Sequence, residues 1–168
     1  MSEANATPEA QDWLAKFGAT LERRDVSAAA ALFEDSGYWR DLVAFTWNNK
    51  TMEGRDAIAA MLGATLERVR PTAWRIDGPA STSGDIVEAW FTFETAVGRG
   101  KGLFRLRNGR CWTLLTAMTE LKGFEEPRGP IRAKGTEHGA FKNRKNWLER
   151  KSDDEATLGY EHQPYCLI

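Results

Sequence analysis

The stretch ALFEDSGYWRD, Ala31 to Asp41, decides how the rest of the chain is read. Its first residues close a short alanine-rich helix, VSAAAALF, that Asp25 is placed to cap. Gly37 to Asp41 then reads as a strand, with Leu42 to Trp47 its continuation past a bend or a second short strand. Upstream, Thr7-Pro8-Glu9-Ala10 reads as a helix start, with Thr7 as N-cap and Pro8 at the first helical position. Trp13, Leu14, Phe17 and Leu21 follow at helical spacing. Downstream, Arg55 to Arg70 forms a third helix with Ile58, Met61, Leu62, Leu66 and Val69 on one face, and Pro71 ends it.

The period then changes from helix to strand. From Asp85 to Thr95, Val87, Ala89, Phe91 and Phe93 fall on one side, and Glu88, Trp90, Thr92 and Glu94 on the other. Gly100 to Arg107 and Arg110 to Leu121 form two more strands, joined by the hairpin signal Asn108-Gly109. Helices first and a curled antiparallel sheet second define an α+β fold.

Composition narrows the function classes. The 168 residues are 42% hydrophobic and 28% charged with a net charge of −1, an ordinary globular balance that disfavours nucleic acid or an anionic membrane as a partner. Charge is nonetheless uneven: residues 122–151 carry nine basic and four acidic side chains, and residues 152–168 carry four acidic and none basic. Cys111 and Cys166 form neither a disulfide framework nor a zinc spacing, so a cytoplasmic location is expected. MSEANATPEAQ lacks the pattern of a signal peptide, and no apolar run approaches a membrane span. The ending YCLI is no prenylation box, because its cysteine stands third from the end.

Residues 122–142 shift to Gly, Pro and charge, as an irregular connector does. Residues 143–159 read as a polar helix whose few apolar positions include Trp147. In 160–168, Gln163-Pro164 leads into the apolar run Tyr165-Cys166-Leu167-Ile168, which reads as the first buried strand of a further domain.

Two resemblances follow. ALFEDSGYWRD, EGRDAIAAML, IVEAWFTFET and FRLRNGRCWTLLTAMTEL, in that order, resemble the NTF2-like (SnoaL-like) cone over residues 8–121. TELKGFEEPRG, EHG, NRKNWLERK and LGYEHQPYCLI resemble the connector of bacterial flavin-dependent monooxygenases that carry such a cone at their N-terminus. The second resemblance implies a full-length parent that uses FAD and NADPH and a partner FAD-binding domain lying beyond Ile168. The cone itself would be an accessory module that covers a substrate entrance, dimerises through its sheet or packs on the flavin domain, binding no cofactor alone.

Asp41 is the candidate catalytic residue. Counted from ALF, it falls where ketosteroid-isomerase-like cones carry a general-base aspartate, and Phe17, Trp39, Trp90 and Phe93 are the candidate walls of an apolar cavity around it. A stand-alone isomerase or lyase acting on a small apolar ligand is therefore the alternative function. Two departures count against it: Phe17 replaces that family's oxyanion-stabilising tyrosine, and Gly102 replaces its protonated aspartate. An Asp41 paired with Arg40, Arg55 or a backbone N–H is the competing reading. His138 and His162 lack partners at ligand spacing, so no metal site is expected. Gly98 to Gly102 leads into a strand and not a helix, which argues against a phosphate loop. Arg99, Lys101, Arg105, Arg107 and Arg110 gather around one hairpin, either as a solvated edge or as a patch for an acidic partner.

Overall fold

The Asp25 side chain accepts the Ala28 N–H at 2.9 Å and starts helix α2 (Val26–Ala31), as the sequence implies. The structure is a computed structural model that describes residues 3–132, 135 and 144–158. The chain divides into two units, Met1–Glu126 and Pro127–Ile168.

In the first unit, helix α1 (Glu3–Glu22) and α2 precede strand β1 (Phe33–Leu42) and strand β2 (Asn49–Glu53). Helix α3 (Gly54–Val69) leads to strands β3 (Thr72–Ile76), β4 (Ser81–Ser83), β5 (Ile86–Glu94), β6 (Gly98–Arg107) and β7 (Arg110–Leu121). The sheet order is β2-β1-β7-β6-β5-β3, with β4 also paired to β5. Helices packed on one face of the sheet make this an α+β fold, the arrangement that the resemblance to the NTF2-like cone implies.

Four details depart from the sequence reading. Helix α1 begins before Thr7 and carries Pro8 inside it. The Thr7 hydroxyl instead accepts the Ala80 N–H at 3.1 Å. Leu42 to Trp47 is not a second strand: after Leu42 the chain bends, and the pairing strand starts at Asn49. Strands β3 and β4 are additional; both are short and expose most of their side chains, so neither shows a strong period. Finally, the sheet is mixed, because β1 runs parallel to β7 while the other strand pairs are antiparallel.

Alternation on β5 places Val87, Ala89, Phe91 and Phe93 inside, as expected. Asn108 (φ 52°) and Gly109 (φ 74°) both take the left-handed conformation that a two-residue hairpin turn demands. Gly100 and Gly102 answer a packing need. A Cβ on Gly100 would lie 2.3 Å from the Phe93 ring, and one on Gly102 would lie 2.2 Å from the Phe91 ring. The two glycines let β6 accommodate the rings of β5 against its own backbone.

Among the described residues of the second unit, a 3₁₀ turn (Gly129–Ile131) precedes helix α4 (Trp147–Thr157). Asn146 and Glu149 form a capping box: each side chain accepts the other residue's backbone N–H, at 2.9 and 2.8 Å. Trp147 is 69% exposed, with the Lys151 ammonium over its ring. Tyr165 to Ile168, and with them Cys166, lie outside the described residues, as do His138 and His162.

Candidate functional site: the carboxylate of Asp41

Asp41 ends the inward-facing positions of β1, between register partners Lys50 on β2 and Thr116 on β7. Its side chain is completely buried, at 0% exposure. A buried carboxylate needs compensation from a cation or from several hydrogen-bond donors. Here donors alone supply it. Oδ2 accepts the Thr46 N–H and the Thr46 hydroxyl, both at 2.8 Å, and the Phe45 N–H at 3.0 Å. Oδ1 accepts the Thr116 hydroxyl at 2.7 Å, and the Thr116 oxygen in turn accepts Trp39 Nε1–H at 2.8 Å.

The competing readings of Asp41 can now be compared. Arg40 donates to the Thr51 hydroxyl, and Arg55 donates to the Phe33 carbonyl and pairs with Asp35. Neither arginine serves Asp41; backbone N–H groups do.

The carboxylate fixes the bend between Val43 and Asn48. Val43 (φ 56°) and Trp47 (φ 54°) both sit in the left-handed region, which is costly for a β-branched valine. Such residues cost about 1–3 kcal/mol each and persist where surrounding contacts over-determine them. Phe45 and Thr46 lie between the two strained positions, and their N–H groups are the ones Asp41 holds. Asp41 is thus the lock of a strained turn. Its hydrogen bond to Thr116 also ties that turn to the sheet.

Among the candidate cavity walls, Phe17, Trp39 and Phe93 are fully buried and in contact with other rings. Phe17 packs edge-on to Trp39 at 5.6 Å, Trp39 to Phe45 at 4.9 Å, and Phe93 stacks on Trp74 at 5.1 Å. Trp90 points the other way: it stands on the outer face, 46% exposed, with Lys101 over its ring. Opening ligand space among these rings would mean moving side chains whose burial contributes about 1.5–3 kcal/mol each. The Gly102 position, where an oxyanion donor would stand, is occupied by the Phe91 ring.

The remaining candidates resolve simply. Residues Gly98 to Gly102 begin β6, so they form no phosphate loop. Cys111 is buried, and burial pushes its thiol well up, which keeps it protonated and a poor nucleophile. No cluster of three or more metal-ligating side chains occurs among the described residues. No described helix is long and apolar enough to cross a membrane. The hairpin cations are largely neutralised within the sheet. Arg99 pairs with Glu120 and Glu125, Lys101 with Asp77, Arg105 with Glu88, and Arg107 doubly with Glu34. A patch with its charge already paired is a weak attractor for an acidic partner.

A family model for the SnoaL-like domain matches residues 14–117, which is most of the first unit. The chain belongs to the SnoaL-like domain family. Solved structures of similar fold accompany that match. A ketosteroid isomerase-like protein from Erwinia carotovora atroseptica is 16% identical, with a TM-score of 0.57 over 68% of this chain and 96% of that one. An NTF2-like protein with a cystatin-like fold from Novosphingobium aromaticivorans is 20% identical, with a TM-score of 0.52 over 69% and 82%. A protein from Xanthomonas campestris pv. campestris, provisionally described as a polyketide cyclase, is 16% identical, with a TM-score of 0.51 over 68% and 93%. No curated protein matches the chain. At these identities the structural neighbours establish the SnoaL-like fold and leave activity to the site.

Thr46 and Thr116, the two hydroxyl partners of Asp41, did not stand out in the sequence. A signal for Thr116 existed: it is a polar residue at an inward position of an alternating strand. Thr46 gave none, since its role depends on a turn that reads as strand.

Proposed function

We propose that the SnoaL-like domain of this chain is a non-catalytic module that works by docking, with Asp41 as a structural element. The observation that carries this reading is the completely buried Asp41 carboxylate, saturated by donors from Phe45, Thr46 and Thr116. A general base must reach a substrate proton, and each lone pair given to a turn is withdrawn from that task. The oxyanion donors that would complete the chemistry are replaced by Phe17 and Gly102.

The docking face in this reading is the outer face of the sheet. Register aligns Trp90, Leu103, Leu115 and Arg40 in one row across four strands, flanked by the Lys101–Asp77 and Arg105–Glu88 ion pairs. Three apolar side chains in a row, ended by Arg40 and rimmed by paired charges, have the anatomy of a protein interface. A second copy of the domain is the proposed occupant, and a flavin-dependent monooxygenase is the proposed host. The resemblance of residues 122–168 to that family's connector supports the host. Within it, FAD and NADPH would be held by the partner domain and not by this chain.

The second reading is a stand-alone isomerase or lyase that uses Asp41 as base. Its support is the position of Asp41 and the descriptions of the ketosteroid isomerase-like and polyketide cyclase neighbours. One experiment separates the two. Purified protein is incubated with a small cyclic ketone in deuterated buffer, and α-proton exchange is followed by NMR. The docking reading predicts the buffer rate for both wild type and Asp41→Asn. Exchange well above buffer that vanishes in a folded Asp41→Asn protein would establish the enzyme.

A further inference from the structure

Helix α3 and edge strand β2 enclose a groove of about 540 Å³, a volume in the range of small-molecule sites. It lies outside the aromatic interior, and none of the core rings lines it. Its floor is made by Met52 and Met61, both buried, and by Ala60 and Ala64, one turn apart on α3. Two alanines at that spacing leave the helix surface low. Methionine side chains add a polarizable, adaptable floor.

The rim is chemically one-sided. Lys50 and Arg68 line the groove, and no Asp or Glu does. Neither cation has an ion-pair partner among the described residues, whereas most cations of the outer sheet face do. Lys50 is instructive because its register partner is Asp41, yet Asp41 is held by neutral donors and leaves the ammonium unpaired. Protection of a free sheet edge accounts for a lysine on β2. It does not account for an arginine across the groove on α3. An apolar floor between two unpaired cations is complementary to a molecule with an apolar body and one negative end.

We propose that this groove binds an amphipathic carboxylate, a medium-chain or arylalkyl acid. Its body lies on Met52, Met61, Ala60 and Ala64, and its carboxylate lies between Lys50 and Arg68. The Arg68 guanidinium offers paired N–H donors to the carboxylate, and Lys50 adds a point charge. This site goes beyond the docking function: it borders the Asp41 turn through Thr46 and Lys50 but asks nothing of the Asp41 carboxylate, so loss of octanoate binding in Lys50→Gln with Arg68→Gln and α-proton exchange in Asp41→Asn are separate readouts.

The test uses the whole 168-residue chain with ¹³C-labelled methionine methyls, titrated with octanoate and, separately, with 1-octanol. The site predicts saturable shifts of the Met52 and Met61 methyls, larger than any shift of the Met118 methyl, which lies on β7 and does not line the groove. Lys50→Gln with Arg68→Gln should weaken octanoate about tenfold or more, and 1-octanol should bind about that much more weakly than octanoate. Ala60→Leu should abolish the shifts by filling the groove. These three positions are exposed, so an unchanged amide spectrum verifies each variant's fold. Absence of saturation, equal affinity for octanoate and octanol, or parallel shifts of all methyls would each overturn the proposal.

Discussion

The two faces of the sheet are made by the same strands and differ in what their polar groups are free to do. On the inner face three polar groups are engaged by the fold: Asp41 accepts donors of the 43–48 turn, Thr116 bridges Asp41 and Trp39, and Cys111 is buried. On the outer face charges are paired in water, and half-exposed apolar side chains line up across β5, β6 and β7. An aspartate at a family's catalytic position is therefore no evidence of catalysis until its lone pairs are counted. In the proposed reading, the inner face holds the fold together and the outer face is the docking surface.

The largest test of this contrast is on the inner face. Gly102→Val would drive Cβ to 2.2 Å from the Phe91 ring and 2.3 Å from the Leu115 carbonyl oxygen. Because one obstacle is backbone, we expect a loss of about 4 kcal/mol or more in chemical denaturation, or failure to fold. Asp41→Asn comes next. It keeps the shape but turns an acceptor into a donor facing N–H groups, and should cost about 3 kcal/mol by urea unfolding. Thr116→Val leaves Trp39 Nε1 and Asp41 Oδ1 each short of a partner, an expected cost of about 2 kcal/mol. Asp41→Asn leaving stability unchanged would break the comparison at its centre.

The outer face should behave oppositely. Trp90→Glu is expected to change stability by no more than about 0.5 kcal/mol. Sedimentation should nevertheless shift toward monomer, because a charge would then stand in the apolar row. The smallest effect concerns the charged rim. The Arg99 guanidinium hydrogen-bonds Glu125 and holds its carboxyl below the usual value of 4.5, at about 2. A carboxylate whose folded value is depressed contributes stability that is present above its unfolded value and is lost as pH falls through the folded one. Wild type should therefore lose its small advantage over Glu125→Gln between about pH 4.5 and about pH 2. An advantage that grew on acidification would contradict the pairing.

Much of this was legible in the sequence. The alternation of Val87 to Phe93, the Asn108-Gly109 turn and the periodic face of α3 are local patterns, and each forms as read. Short β3 and β4 escaped because three to five largely exposed residues carry no period. The parallel pairing of β1 with β7 escaped because strand direction depends on the path of the chain between them. At the site, the sequence places Asp41 on the inner face but cannot show its donors. Two of them are backbone N–H groups of a turn whose residues, Leu42 to Trp47, are apolar enough to pass for strand. Trp90 carried its own signal, since alternation puts it with Glu88 and Thr92 on the side away from the cavity.

The most direct test is native-state amide hydrogen exchange at Phe45 and Thr46, compared between wild type and Asp41→Asn. If Asp41 is the lock of the turn, both amides in the wild type are protected nearly as well as those of the central strands, and the variant loses that protection at these two positions first. Free exchange of both amides in the wild type would show that the carboxylate is not committed to the turn, and would return Asp41 to the role of an available base.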